Sequence, residues 1–288
     1  MNRLVLAIVP ATLAAGGCTV VLDPGQVQCN TTSDCTAHGW MDAKCVANVC
    51  EMTPPPPPPD PTWGCLGHVV APTPDPTKKI TLKEQLVLAL DKSPVTMATI
   101  DVCDKLDVDC TGTNPDDPKG LMPDSMGFVT FSVAQGFDGF VRVTGPTIMD
   151  SRVYVGRPII TPPNVKAIEL LQPSDYMLLA QIAGLPVDMT RGSAIALAFD
   201  CQGNSGAGVS FTCTTADSST VPFYLINQLP TPTPMATATD VDGFGGFYNL
   251  PVGNTIAKSY LKKQYIGESS FDILAYTISY VLVAPTPN

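Results

Sequence analysis

The stretch 240–253, D-V-D-G-F-G-G-F-Y-N-L-P-V-G, constrains the fold more than any other part of the chain. Asp242-Gly243 is a turn pair, because glycine reaches positive φ without a Cβ clash. Residues 244–248 are short, aromatic and strand-forming. Asn249-Leu250-Pro251-Val252-Gly253 then stops the strand, since proline has no N–H to give to a sheet ladder. Turn, strand and turn packed this closely predict a β-sandwich. The rest of the chain agrees: 29 Pro and 23 Gly favour many turns over long helices, and 44% hydrophobic residues suffice for packed cores. A length of 288 residues leaves room for about two domains of roughly 100–150 residues.

Charge and cysteine content narrow the setting. The formal net charge is −10 and only 16 residues are Lys or Arg, which argues against nucleic acid as a partner, because phosphate binding needs clustered cations. Ten cysteines without a metal motif read as disulfides, and therefore as an oxidising compartment.

The N-terminus carries an address. Met1-Asn2-Arg3 is a short cationic start, and 4–15 is an apolar run of signal-peptide length, too short to span a bilayer. It ends in Ala15-Gly16-Gly17-Cys18, and small residues directly before a cysteine resemble a bacterial lipobox. That resemblance implies a signal peptide over 1–17, lipid attachment at Cys18 with its acyl chains (palmitate among them), and a membrane partner. Ala15 stands where the pattern prefers Leu, which keeps plain secretion as the alternative. Thr19 is unlike the Asp that retains lipoproteins at the inner membrane, so the expected place is the outer membrane or cell surface.

A small module follows, over 18–52. Cys29, Cys35, Cys45 and Cys50 are spaced C-x5-C-x9-C-x4-C, which lacks the C-x2-C pairs of a zinc ribbon. Two disulfides in a loop-rich knot are expected, with three connectivities open. A module this small buries little, so its cross-links must carry its stability. Trp40 is placed to cap it. The segment 53–64 contains six consecutive prolines, 54–59, and predicts a stiff polyproline II spacer rising about 3.1 Å per residue.

The first globular domain is expected over 65–172. In 79–90, Ile80, Leu82, Leu86, Leu88 and Leu90 share one face at period two, with Glu84 as the exception. Further strands are expected over 95–102, 128–134, 140–143, 152–155 and 165–171. Cys103 and Cys110 flank an acidic stretch that a bridge would close into a small loop. Asp107, Asp109, Asp116 and Asp117 have the oxygen chemistry of a calcium site but no EF-hand spacing, and a solvated acidic loop is the simpler reading.

The segment 173–189 reads as a helical connector, with Ser174 as N-cap, Asp175 in the first turn and Gly184 as the stop. The second globular domain, 190–288, has alternating strands at 193–200 and 207–211, then 221–226, a loop at 230–234, a strand at 256–260 and a long β-rich run over 271–283 that is one bent strand or two. Tyr276, Ile278, Tyr280 and Leu282 share one face of that run. For the remaining cysteines two pairings stay open: Cys201 with Cys213, which leaves Cys65 over, or Cys65 with Cys201, which leaves Cys213 over.

The second domain resembles the carboxypeptidase regulatory-like family, a transthyretin-like seven-stranded β-sandwich. The resemblance is carried by Phe199-Asp200-Cys201-Gln202-Gly203 through Ala207-Gly208-Val209-Ser210. It is carried again by Thr239-Asp240-Val241-Asp242-Gly243-Phe244-Gly245-Gly246-Phe247 with Leu250-Pro251-Val252-Gly253. The first domain looks like a diverged copy. Asp124-Ser125-Met126-Gly127-Phe128-Val129-Thr130-Phe131 and Asp240-Val241-Asp242-Gly243-Phe244-Gly245-Gly246-Phe247 both read D-x-x-G-F-x-x-F, and an internal repeat explains this best. The resemblance implies tandem transthyretin-like or Ig-like sandwiches outside the cytoplasm and implies no activity.

The residues point the same way on catalysis. The two histidines, His38 and His68, lie in the cysteine knot and just after the spacer, and neither sits in a nucleophile elbow or a zinc motif. No catalytic residue, metal site or cofactor is expected. The expected function is a non-enzymatic, membrane-anchored surface lipoprotein for adhesion, scaffolding or ligand binding, with a protein or carbohydrate ligand at the cell surface. The alternatives are a carbohydrate- or calcium-dependent binding module and, ranked lowest, a hydrolase with an atypical site.

Overall fold

The computed structural model describes residues 27, 29–37, 41, 43–52, 62–112, 114, 116–163 and 167–287. The expected signal segment, Cys18, His38, Trp40 and the proline run 54–59 lie outside them. The chain divides into two compact units, Met1–Pro58 and Pro59–Asn288.

In the first unit, helix α1 (Thr32–Ala37) precedes a hairpin of β1 (Ala43–Val46) and β2 (Val49–Met52). The Asp34 carboxylate accepts the amides of Asn30 and Thr31 at 2.7 and 2.8 Å and so fixes the helix start. Ala47 and Asn48 turn the hairpin at φ 49° and 66°. Cys45 and Cys50 face each other across it and bridge to Cys29 and Cys35 respectively. Among the described residues the buried core is Cys29, Cys35 and Ala43, so the cross-links carry much of the stability.

The second unit is two copies of one strand pattern. The first copy holds β3 (Lys79–Leu88), β4 (Thr99–Asp104), β5 (Phe128–Ala134), β6 (Gly139–Thr144), β7 (Ser151–Tyr154) and β8 (Ile168–Leu170). Helix α2 (Pro173–Ile182) follows. The second copy holds β9 (Gly192–Ala198), β10 (Val209–Cys213), β11 (Val221–Ile226), β12 (Leu229–Pro232), β13 (Phe244–Leu250), β14 (Gly253–Leu261), β15 (Gln264–Ile273) and β16 (Ile278–Val283). In the first copy β3 pairs antiparallel with β5 and parallel with β8, while β6 pairs antiparallel with β4 and β7. In the second, β9 pairs antiparallel with β13 and parallel with β16, while β14 pairs antiparallel with β10 and β15. The hairpin β11–β12, added beside β13, is the difference.

Single hydrogen bonds repeat as well. Leu86 N donates to Gly127 O at 2.8 Å and Ala198 N to Gly243 O at 3.0 Å. Val95 N donates to Leu86 O at 2.9 Å and Gly206 N to Ala198 O at 2.8 Å. The two D-x-x-G-F-x-x-F blocks therefore make the same turn into β5 and β13.

The copies are fused. The last strand, β16, pairs parallel with β9 on one side and with β7 of the first copy on the other. This makes one eight-stranded sheet, β12-β11-β13-β9-β16-β7-β6-β4. The sheet β5-β3-β8 covers one face of its first half, around Ile100, Val102, Val141 and Val143. The sheet β10-β14-β15 covers the opposite face of the second half, around Ala194, Ala196, Ala198 and Val281. Helix α2 closes the remaining face with Tyr176 and Ala180 against Phe223, Tyr248 and Ile278. The fold is an all-β double sandwich, as the turn density predicts, but the two sandwiches share a sheet.

Several local expectations change. The strand expected over 95–102 begins at Thr99. The loop expected at 230–234 includes β12, where Pro230 and Pro232 are tolerated because the strand is an edge. Of the two readings open for 271–283, one bent strand or two, the structure holds two strands, broken at Tyr276 with φ 53°. The cap of α2 is Gln172, with no side-chain hydrogen bond, and Pro173 opens the helix in place of the expected Ser174 cap.

Candidate functional site

The second unit holds a cleft of about 580 Å³. Four separate stretches wall it: the entering arm 65–72, the connection 155–163 after β7, the turn 199–203 after β9, and the tail 282–285 after β16. Gly156, at φ +78°, brings the second wall against Leu282 O so closely that a Cβ would collide with that carbonyl. Arg157 Nη1 then donates to Pro285 O at 2.9 Å and ties that wall to the tail. In the third wall the buried Asp200 carboxylate accepts the amides of Gln202 and Asn204 at 2.8 and 2.9 Å, holding the Gly203 turn. Prolines 72, 158, 162, 163 and 285 stiffen the lining, so the cleft exists before any ligand arrives.

The arm is fixed covalently. Cys65 and Cys201 form a disulfide with Cα atoms 5.8 Å apart. Cys201 N donates to Thr62 O at 3.0 Å, and Cys65 N donates to Cys201 Sγ at 3.1 Å. Trp63 packs on Gly206, where a Cβ would meet its ring at 2.9 Å. Of the two pairings open for Cys201, the structure holds Cys65–Cys201 and leaves Cys213 as a thiol, half-buried and 3.0 Å from Thr255 Oγ1. Cys103 and Cys110 form the small-loop bridge.

The other residues that the sequence singles out do not converge. His68 lies on the cleft rim, exposed, and among the described residues its imidazole has no hydrogen bond to a carboxylate or hydroxyl. Asp107 accepts the amides of Thr111 and Gly112, Asp116 pairs with Lys79 at 2.7 Å, and Asp117 accepts from Asn114. No three carboxylates lie within metal-binding reach among the described residues. The sulfurs of Cys29, Cys35 and Cys50 do cluster, but disulfides occupy them, leaving no thiolate to ligate a metal. The aromatics of 276–280 pack inward: Tyr276 meets Tyr176 edge-on at 6.4 Å, and Tyr280 packs beside the α2 cluster.

One buried acid stands apart. Glu84 faces the first core between Leu82 and Leu86, 9% exposed, with Oε2 unpartnered. Burial pushes its carboxyl from 4.5 up to about 7. The period-two reading singles out Glu84 as the exception on its face. It carries no signal for Arg157 or Asp200, whose roles depend on strands far apart in sequence.

No family model matches the chain, and no curated protein matches it. Solved structures it resembles include the Bacillus anthracis TIE protein, at 13% identity and TM-score 0.25, over 72% of this chain and 34% of that one. The shaft pilin SpaA from Lactobacillus rhamnosus GG aligns at 10% identity and TM-score 0.22, over 73% and 98%. BcpA, the major pilin subunit of Bacillus cereus, aligns at 12% and 0.23, over 72% and 69%. The chain spans about a third of the anthrax protein's chain. Likeness at this level assigns neither activity nor partner.

Proposed function

We propose that the chain is an extracytoplasmic, non-enzymatic scaffold, lipid-anchored at Cys18, that displays a fused pair of carboxypeptidase regulatory-like sandwiches. The observation that carries this reading is the shared eight-stranded sheet, which joins the two sandwiches into a single body. Cysteine use supports the compartment: four disulfides take eight of ten cysteines and leave Cys18 and Cys213. No helix among the described residues is long and apolar enough to cross a membrane, so attachment would rest on the lipid.

The test is intact mass of the chain from its native membrane, beside a Cys18→Ser variant. The reading expects a mature chain beginning at Cys18 with diacylglycerol and acyl mass, and a variant found in the soluble fraction. Mature wild-type protein without lipid would overturn the anchor and leave a secreted scaffold.

The cleft favours one second reading, capture of a small or peptide ligand by the wall of prolines, Phe199, His68 and Arg157. Binding that is lost on an Arg157→Glu change would support it.

A further inference from the structure

We infer that Cys65–Cys201 is a thiol–disulfide exchange site, opened by a dithiol reductant that enters the cleft and attacks Cys65. Among the four bridges it is the one in which neither half is buried. Cys103 and Cys110 are both buried, at 0% and 9% exposure, and each bridge of the first unit has one buried half, Cys29 or Cys35. Both Cys65 and Cys201 line the cleft, so an incoming sulfur has a path to them.

The geometry also chooses the sulfur. Cys65 N–H points at Cys201 Sγ across 3.1 Å. A hydrogen bond to a sulfur that becomes anionic stabilises the charged form, so Cys201 is the better leaving group and Cys65 the sulfur attacked. Arg157 lines the same cleft, where its fixed positive charge favours an approaching thiolate against the buried Asp200 carboxylate of the turn wall.

The step balances. The reductant's thiolate forms a bond to Cys65 Sγ as the Cys65–Cys201 bond breaks, and Cys201 leaves as a thiolate that takes up a proton. The reductant's second thiol then attacks its own mixed-disulfide sulfur, leaving a reduced Cys65 thiol and an oxidised cyclic dithiol. Two protons and two electrons pass from the dithiol to the protein. The product is a cleft whose arm wall has lost its covalent tie and keeps the packing of Trp63 and Leu66 and the Thr62–Cys201 backbone bond.

The test uses the full mature chain with Cys213→Ala, which, with Cys18 acylated as proposed above, leaves no internal thiol to initiate exchange. Limiting dithiothreitol is added, new thiols are alkylated at intervals, and peptides are mapped by mass. Alkylation of Cys65 and Cys201 at least tenfold faster than of any other bridged cysteine is expected. Equal or slower opening would overturn the proposal. A brief pulse of reduced glutathione on the oxidised protein, quenched by alkylation, should leave its mixed disulfide on Cys65 with Cys201 alkylated, and a mixed disulfide chiefly on Cys201 would overturn the choice of sulfur.

Discussion

Gly127 and Gly243 hold the same place in the two copies of one turn. Each lies at positive φ, 79° and 76°, with its amide on the carbonyl three residues back, Asp124 and Asp240, and its own carbonyl on the opposite strand. A Cβ would stand 2.5 Å from Leu86 O at the first and 2.9 Å from Ala198 O at the second. Alanine at either site faces a strained φ and a backbone clash. Gly127→Ala and Gly243→Ala should each lower stability by about 1–3 kcal/mol. Gly203→Ala is the control, because it shares the positive φ but has open space around it, and thermal melts should show a smaller loss there.

Glu84 makes stability depend on pH in an unusual direction. Its carboxyl titrates near 7 in the folded protein, against an ordinary glutamate value of 4.5 in the unfolded chain. The folded state therefore holds the proton more tightly, and stability falls as pH rises from about 4.5 to about 7. The linkage is worth roughly 3 kcal/mol for a shift of this size. Denaturant melts of Glu84→Gln should lose this slope, and Glu84→Leu should be more stable than wild type at about pH 8, above the folded titration.

Asp217 works in the opposite sense. Arg191 grips it through both guanidinium nitrogens, at 3.0 and 2.8 Å, and holds its carboxyl down at about 2. The contribution is present above about pH 4 and is lost as pH falls through about 2. Asp217→Asn should lower the melting temperature at neutral pH, and the difference should vanish only below about pH 2. Added salt should shrink the difference, because the pair is exposed.

The two bridges of the double sandwich should differ in worth. Cys65–Cys201 closes 136 residues and Cys103–Cys110 closes 7. The chain-entropy model assigns about 5 kcal/mol to the first and about 2 kcal/mol to the second. Paired Cys→Ser variants, compared by chemical denaturation, should show this order.

Thiol counting reports on Cys18. Cys213 is the one free cysteine of the described residues. Unfolded, unreduced protein should therefore react with one equivalent of a thiol reagent when Cys18 is acylated, and Cys213→Ala should react with none. A second equivalent would mean a Cys18 thiol.

Elements that depend on neighbours in sequence are legible from the sequence itself. The alternation of Ile80, Leu82 and Leu86 marks β3, and the Asp-to-Gly turns mark the starts of β5 and β13. The repeat shows in eight residues because both copies need the same glycine under the same carbonyl. The first seven residues of β15 do not show, since Gln264, Glu268 and Ser269 lack an apolar alternation and its hairpin turns on Lys262-Lys263 at positive φ without glycine. The fused sheet is hidden too. The partners of β16 lie more than eighty residues upstream of it, at Ser193 and Ser151, and nothing in 278–283 names them. The cleft belongs to the same class, because four distant stretches meet there.

The Cys65–Cys201 bridge also decides where a pull on the chain would go. Residues 66–200, including all of β3 to β9, form a closed covalent ring between its two sulfurs. Tension entering from upstream of Thr62 crosses at Cys65 to Cys201 and does not travel through the first copy. It arrives where Phe199 N bonds Val283 O, beside the β9–β16 ladder in the middle of the shared sheet. The first copy is thereby relieved of any force that enters from the upstream chain, and stays so for as long as the bridge is oxidised.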